Sequence, residues 1–296
     1  MINIGIVGCG SWSDIIIKEI NKNKKFNLTS IVCRNKKHKQ KNLKVFKTID
    51  SMVKSNLNDC IYVAALPETN LEVIKVAKKK NIHLILEKPV SNSVKNFIEL
   101  SKIASENKLI IYPNLTNYFA HTFDELKNQL INNSSKIKQI IIYEGNFGPF
   151  REKIHPIWDW GFHSISLLYL IFDDKEFKNI TLKEIKSSNI YGKGNVTKFS
   201  FNIDKNIKVK IVTGNLFKKK IRKMKIIYKD KTYLENDMVL HKINPKHFNN
   251  SQNIKSPIRN LLDNFEQDIE SKKHENSMTL LKASSKTIEF LENFYK

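Results

Sequence analysis

The sequence predicts an α/β chain: a doubly wound parallel sheet over residues 1–115, then a second region, 116–296, rich in antiparallel strands. Three observations carry this. Short unbroken apolar runs alternate with helix-period stretches from Ile2 to Tyr112, the pattern of a parallel sheet covered on both faces. A glycine turn, Gly8-Cys9-Gly10-Ser11-Trp12-Ser13, joins the first apolar run to the first helix. Beyond Pro113 the pattern changes, and between residues 181 and 240 charged and apolar residues alternate, as in Lys208-Val209-Lys210-Ile211 and Lys223-Met224-Lys225-Ile226. That is the period of strands with one wet face.

Ile2 to Val7 reads as a buried strand, and Trp12 to Asn21 as the helix after the turn. Strand, GxGxx(S), helix is the context in which this weak motif signifies dinucleotide binding. Gly8 allows the tight turn. Gly10, Ser11 and Trp12 lie where backbone and helix amides would approach a pyrophosphate, and Ser13 is small enough for close helix–strand packing. Leu28 to Cys33 is the second strand. Its end, Cys33-Arg34-Asn35-Lys36-Lys37, lacks the acid that reaches ribose hydroxyls in NAD sites, and Arg34 suits a 2′-phosphate. NADP is therefore favoured over NAD.

Val45-Phe46 is a short strand and Ile49 to Lys54 a short helix. Cys60 to Leu66 is a buried strand closed by Pro67, and Asn70 to Lys80 a helix. Next comes Ile82-His83-Leu84-Ile85-Leu86-Glu87-Lys88-Pro89, an apolar strand ending in an acid, a base and a proline. In open α/β sheets, ligands bind at the carboxyl ends of strands. Ser91 or Ser93 is the expected cap of the following helix, and Leu109 to Tyr112 is a further strand.

In the second region a helix over 123–132, a strand over 138–144 and a helix over 162–172 are expected. Lys218-Lys219-Lys220-Ile221-Arg222-Lys223 reads as a solvated turn between strands. Residues 241–256 read as loop, and 257–269 and 277–294 as closing amphipathic helices assigned to the second domain. Ile154-His155-Pro156-Ile157-Trp158-Asp159-Trp160-Gly161-Phe162-His163 carries the other chemistry. Asp159 and His163 are four apart at a helix start, where a carboxylate can orient an imidazole for acid/base work.

The formal charge of +22 invites a nucleic-acid reading. Against it, all but four of the 51 basic residues are lysines, spread along every segment. Base readout and phosphate clamping favour arginine. No apolar run reaches the ~18 residues of a membrane span, and the N-terminus lacks the features of a signal peptide. Cys9, Cys33 and Cys60 cannot all pair and show no metal spacing, so no metal and a reducing cytoplasm are expected.

Taken together, the glycine turn, Glu87-Lys88-Pro89 and Asp159-Trp160-Gly161-Phe162-His163 resemble the glucose–fructose oxidoreductase/inositol dehydrogenase (Gfo/Idh/MocA) family. Nearly the whole chain can be laid along that pattern, including Gly148-Pro149-Phe150-Arg151 and the two closing helices. The resemblance implies a Rossmann domain followed by an α+β domain with an open, mostly antiparallel sheet that carries the substrate site and often an oligomer interface. It implies that Lys88 contacts the reacting oxygen, that His163 is the catalytic histidine and Asp159 a substrate-binding acid, and that Glu87 lies near the nicotinamide ribose. Cofactor contacts from Cys33, Arg34, the Leu66-Pro67 loop and Asn70 follow, with substrate contacts from Asn117, Arg151, Trp158 and Trp160. Pro89 is often cis in this family. Three positions depart from the pattern. Ser166 and Ser164 stand where members place an aspartate after the histidine, and Asn70 stands near the place of a histidine.

The function this implies is NAD(P)-dependent hydride transfer at a carbinol or keto carbon of a sugar or nucleotide sugar, in bacterial polysaccharide or surface-sugar metabolism. The site is expected between the domains of a cytoplasmic homo-oligomer. A non-catalytic dinucleotide-binding sensor or scaffold on the same fold is the rival reading, and a nucleic-acid binder ranks third.

Overall fold

In a computed structural model the chain folds into two compact units, Met1–Leu115 with Ser256–Lys296, and Thr116–Lys255. All residues are described except 35–42, 152–153, 174, 190–191, 205, 241, 245–254 and 296.

The first unit opens with β1 (Ile2–Val7), α1 (Ser11–Asn21), β2 (Phe26–Val32), β3 (Lys44–Phe46) and α2 (Ile49–Lys54). It continues with β4 (Cys60–Val63), α3 (Pro67–Ala77), β5 (His83–Leu86), α4 (Val94–Glu106) and β6 (Ile111–Pro113). The sheet order is β3-β2-β1-β4-β5-β6, with every pairing parallel. β4 is buried at all four positions, and Leu84, Ile85 and Leu86 of β5 are fully buried, as expected of strands covered on both faces. Thr48 and Ser93 cap α2 and α4 through side-chain acceptors.

The second unit holds α5 (Phe123–Asn132), β7 (Ile137–Phe147), α6 (Pro156–Asp159), α7 (Gly161–Ile171) and β8 (Phe177–Asn189). β9 (Gly192–Ile203), β10 (Ile207–Gly214), β11 (Leu216–Tyr228), β12 (Tyr233–Asp237) and β13 (Lys242–Asn244) complete it. Its sheet runs β13-β12-β11-β7-β10-β9-β8. Every pairing is antiparallel except β7 with β10. Ile140, Ile142 and Glu144 of β7 are buried, while Tyr143 and Phe147 of the same strand are exposed on the opposite face. One face is thus wet, as the alternation predicts.

The closing helices, α8 (Pro257–Ser271) and α9 (Glu275–Glu292), belong to the first unit and not the second. Amphipathic periodicity announces an apolar face without naming its partner. The partner is the edge of the parallel sheet. Ser277 Oγ accepts from the Ile111 amide at 3.0 Å and donates to the Ile111 carbonyl at 2.8 Å, satisfying the outer rim of β6. Tyr112 Oη donates to Asp268 Oδ2 at 2.6 Å, and Lys25 reaches Glu266 at 2.6 Å.

Three further expectations need correction. The basic run 218–223 lies inside β11, across a register shift between Leu216 and Ile221, and is not a turn. Residues 242–244 form β13, while the rest of the expected loop over 245–254 lies outside the described residues, as do Asn35, Lys36 and Lys37. The cysteines are not all thiols: Cys9 and Cys33 form a disulfide, and Cys60 is buried and free. Among the described residues no helix is long and apolar enough to cross a membrane, and no acidic, histidine or cysteine cluster forms a metal site.

Candidate active site

The carboxyl ends of β1, β4 and β5 lie side by side on one edge of the parallel sheet, at the point where the chain order reverses from β2 to β4. Such a switch point leaves a crevice for a ligand. Gly8 follows β1 with φ +111°, and a Cβ there would lie 2.4 Å from the Ala64 carbonyl oxygen, so only glycine fits. A Cβ on Gly10 would meet nothing within 4 Å, which leaves open ground over the turn. Gly10 caps α1 without a side-chain acceptor. The first-turn amides of α1, from Ser11 and Trp12 onward, are thus oriented as a cradle for an anion. Ser13 is fully buried, matching its expected packing role. Open ground, a glycine-only turn and an amide cradle together fit a dinucleotide pyrophosphate.

Glu87 stands at the end of β5. Its Oε1 accepts from Trp12 Nε1 at 2.5 Å, from Tyr62 Oη at 2.5 Å and from Asn114 Nδ2 at 2.7 Å. Burial, together with the neighbouring Glu87 carboxylate, pushes the Tyr62 phenol well above its ordinary range. It remains a neutral donor to that carboxylate. Tyr62 and Asn114 escaped the sequence reading because they sit within apolar or polar runs with no motif around them.

Lys88 follows Glu87, is half-buried, and precedes Pro89 across a cis peptide bond, as the family resemblance implied. Asn70 is fully buried on α3 and donates to the Val90 carbonyl at 2.9 Å. It braces the loop behind Lys88. Leu66 is exposed and caps α3, with Pro67 as the first helical residue. Arg34 is exposed at the end of β2 and lies 3.6 Å from Glu72. Such an exposed ion pair stabilises little and exchanges readily for another anion.

In the second unit His163 lies in the first turn of α7 and is half-buried. Asp159 ends α6, and Arg151 Nε sits 3.2 Å from its Oδ2. Trp160 links the two helices and donates its Nε1 to the Gly148 carbonyl at 3.2 Å. Trp158 is only 6% exposed and packs among the core residues of the second unit. An indole flanked by Ile157 and α7 gains more from burial than from a wet cleft.

Asn117 is buried likewise. It is 9% exposed, donates to the His163 carbonyl at 3.4 Å and accepts from Arg222 Nη2 at 3.2 Å. Arg222 Nε binds the fully buried Glu144 at 2.6 Å, and Ser164 Oγ donates to the other carboxylate oxygen of Glu144. Ser166 Oγ also donates to the His163 carbonyl, at 3.2 Å. Ser164 and Ser166 are therefore the anchors of the turn that carries His163. Glu144 and Arg222 were missed because 78 residues separate them. Lys220, near this pair, has its ammonium pKa pushed down by burial and by Arg222.

Residues 2–115 match the model of the oxidoreductase family with an NAD-binding Rossmann fold, GFO_IDH_MocA. A search of curated protein sequences finds no match. Among solved structures, a dehydrogenase from Chromobacterium violaceum superposes with a TM-score of 0.77 at 14% identity, over 98% of this chain and 94% of that one. UDP-N-acetylglucosamine 3-dehydrogenase GnnA from Acidithiobacillus ferrooxidans gives 0.74 at 14% identity, over 100% and 99%. Scyllo-inositol dehydrogenase from Lactobacillus casei, with NAD(H) and scyllo-inositol bound, gives 0.75 at 16% identity, over 97% and 95%. These likenesses are of fold along the full chain. Residues 2–115 thus match the Gfo/Idh/MocA family of NAD-binding oxidoreductases.

Proposed function

We propose that the protein is an NAD(P)-dependent dehydrogenase or reductase acting on a carbinol or keto carbon of a sugar or nucleotide sugar. The observation that carries this reading is Lys88: a half-buried ammonium directly after the carboxyl end of β5, on the same sheet edge as the Gly8–Gly10 turn. When bound, the nicotinamide cofactor would supply the hydride acceptor or donor. Lys88 holds the substrate oxygen and stabilises the negative charge that develops on it. His163 takes the hydroxyl proton in oxidation and returns it in reduction. Asp159, held by Arg151, binds a neighbouring hydroxyl, with Trp160 beside it. Glu87 and the Trp12, Tyr62 and Asn114 donors shape the ground at the ribose end of the nicotinamide.

Exposed Arg34 supports NADP over NAD, because a 2′-phosphate can replace its weak pairing with Glu72. A sugar or nucleotide-sugar substrate, and a place in bacterial surface-sugar metabolism, is supported by the Trp-Asp-Trp-Gly segment. It is also supported by the sugar and inositol dehydrogenases among the structural neighbours. Assembly as a cytoplasmic homo-oligomer is part of the same reading, supported by the exposed Tyr143, Phe147, Ile185 and Tyr233 of the second sheet.

The test is a cofactor-reduction screen with NAD and NADP across free sugars and nucleotide sugars. Turnover with one of them, faster with NADP, is expected. Tight cofactor binding without turnover on any substrate would replace this reading with a dinucleotide sensor.

A further inference from the structure

The disulfide lies where the dinucleotide reading places the cofactor. Cys9 is the residue between Gly8 and Gly10, and Cys33 is the first residue after β2. Parallel pairing of Val7 with Val32 brings the two strand ends abreast, and the Cα atoms of Cys9 and Cys33 are 5.5 Å apart. In a dinucleotide site the end of the second strand meets the adenosine ribose, and the turn after the first strand meets the pyrophosphate. The cross-link therefore ties the ribose end of the site to its phosphate end.

The remaining cysteine does not compete. Cys60 is fully buried in β4, and burial raises its thiol pKa well above the ordinary range, so it supplies no thiolate for exchange. Cys9, by contrast, is half-buried at the edge of the open ground over Gly10, within reach of a small oxidant or reductant. Disulfides accessible in this way are the labile ones.

We propose that Cys9 and Cys33 form a reversible redox lock on the cofactor site: joined, they pin the turn after β1 to the end of β2, so that the two ends of the site cannot part to seat a dinucleotide; as two thiols they can. This rests on the dinucleotide reading of the glycine turn. A low-molecular-weight disulfide is the oxidant. The Cys9 thiolate attacks one of its sulfurs and releases one small thiol. The Cys33 thiolate then attacks the mixed disulfide at Cys9 and releases the second. The pair loses two electrons and two protons, and the oxidant becomes two thiols. A small dithiol reverses both steps.

The experiment uses the full chain, oxidised with glutathione disulfide or reduced with dithiothreitol, with free thiols counted in each form. NADH and NADPH are then titrated by nicotinamide fluorescence. The reduced form is expected to bind at least about tenfold more tightly, because only the open fraction is competent. The Cys9→Ser protein is expected to show no difference between treatments. Equal affinity in both forms, or tighter binding by the oxidised form, overturns the lock and leaves the dinucleotide site standing. No binding by either form, with the fold intact by circular dichroism, overturns the dinucleotide reading and the lock with it.

Discussion

Trp12 and Glu87 are joined by a 2.5 Å hydrogen bond from the indole Nε1 to Oε1, across 75 residues of chain. The contact fastens the first turn of α1 to the end of β5, so the glycine turn and the position of Lys88 are set by one carboxylate. Tyr62 and Asn114 donate to the same oxygen. Replacing Glu87 by Ala strands these donors, two of them on buried residues, and is expected to cost about 1–3 kcal/mol in a urea unfolding titration. Glu87→Gln keeps a carbonyl acceptor and is expected to cost less. Equal losses for both variants would show that the donors do not depend on this acceptor.

Lys88→Ala is expected to lower kcat about 10²-fold on the substrate found by the screen, as loss of one donor to a developing oxyanion does. The unfolding midpoint is expected to stay near that of the parent protein. Near-normal turnover would remove Lys88 from the chemistry.

Glu144 and Arg222 form a buried pair, 0% and 13% exposed at the side chain. Glu144→Ala leaves a guanidinium without its carboxylate and Ser164 without its acceptor, an expected loss of about 3–5 kcal/mol. The double variant Glu144→Leu/Arg222→Met removes both charges and is expected to recover part of that loss. Because Ser164 and Asn117 hold the turn around His163, the double variant is also expected to lower kcat more than it alters KM. Chemical denaturation and steady-state kinetics on the same preparations separate the two effects.

His83 is expected to make the protein sensitive to mild acid. Burial, helped by the charge of His274, lowers its pKa from 6.5, while Asp59 acts in the opposite direction. Its Nδ1 accepts from the Ile110 amide at 3.1 Å, which requires a neutral ring nitrogen. The unfolded chain therefore takes up the proton first as pH falls. Stability is full above the unfolded pKa of 6.5 and declines below it, until the folded pKa is passed. His155 is also lowered by burial and acts with the same sign. His83→Asn keeps an acceptor near the same point and removes the titration. The difference in urea midpoint between pH 7.5 and pH 5.5 is expected to shrink in this variant.

The parallel sheet was legible because its information is local. A strand buried on both faces must be apolar throughout, so β4 and β5 announce themselves in four to six residues. The Gly8 turn and the Ser93 cap likewise depend on groups a few residues apart. The strand end Glu87-Lys88-Pro89 and the start of α7 at His163 were readable for the same reason.

What only the tertiary structure decided is which distant groups satisfy one another. Lys218 to Lys223 looks like a solvated turn by composition, yet it runs within β11, because Arg222 turns inward onto Glu144. The faces of α8 and α9 predict burial, but Ser277 and Asp268 choose the edge of the first sheet. Asn70, Asn117 and Trp158 are drawn inward by a carbonyl or an apolar wall that no nearby residue announces. Cys9 and Cys33, ordinary in sequence, become partners because β1 and β2 pair in parallel. Periodicity and turn chemistry act over a few bonds and are written in neighbouring residues. Hydrogen-bond satisfaction of buried groups acts through space, and is settled only when the strands and helices have packed.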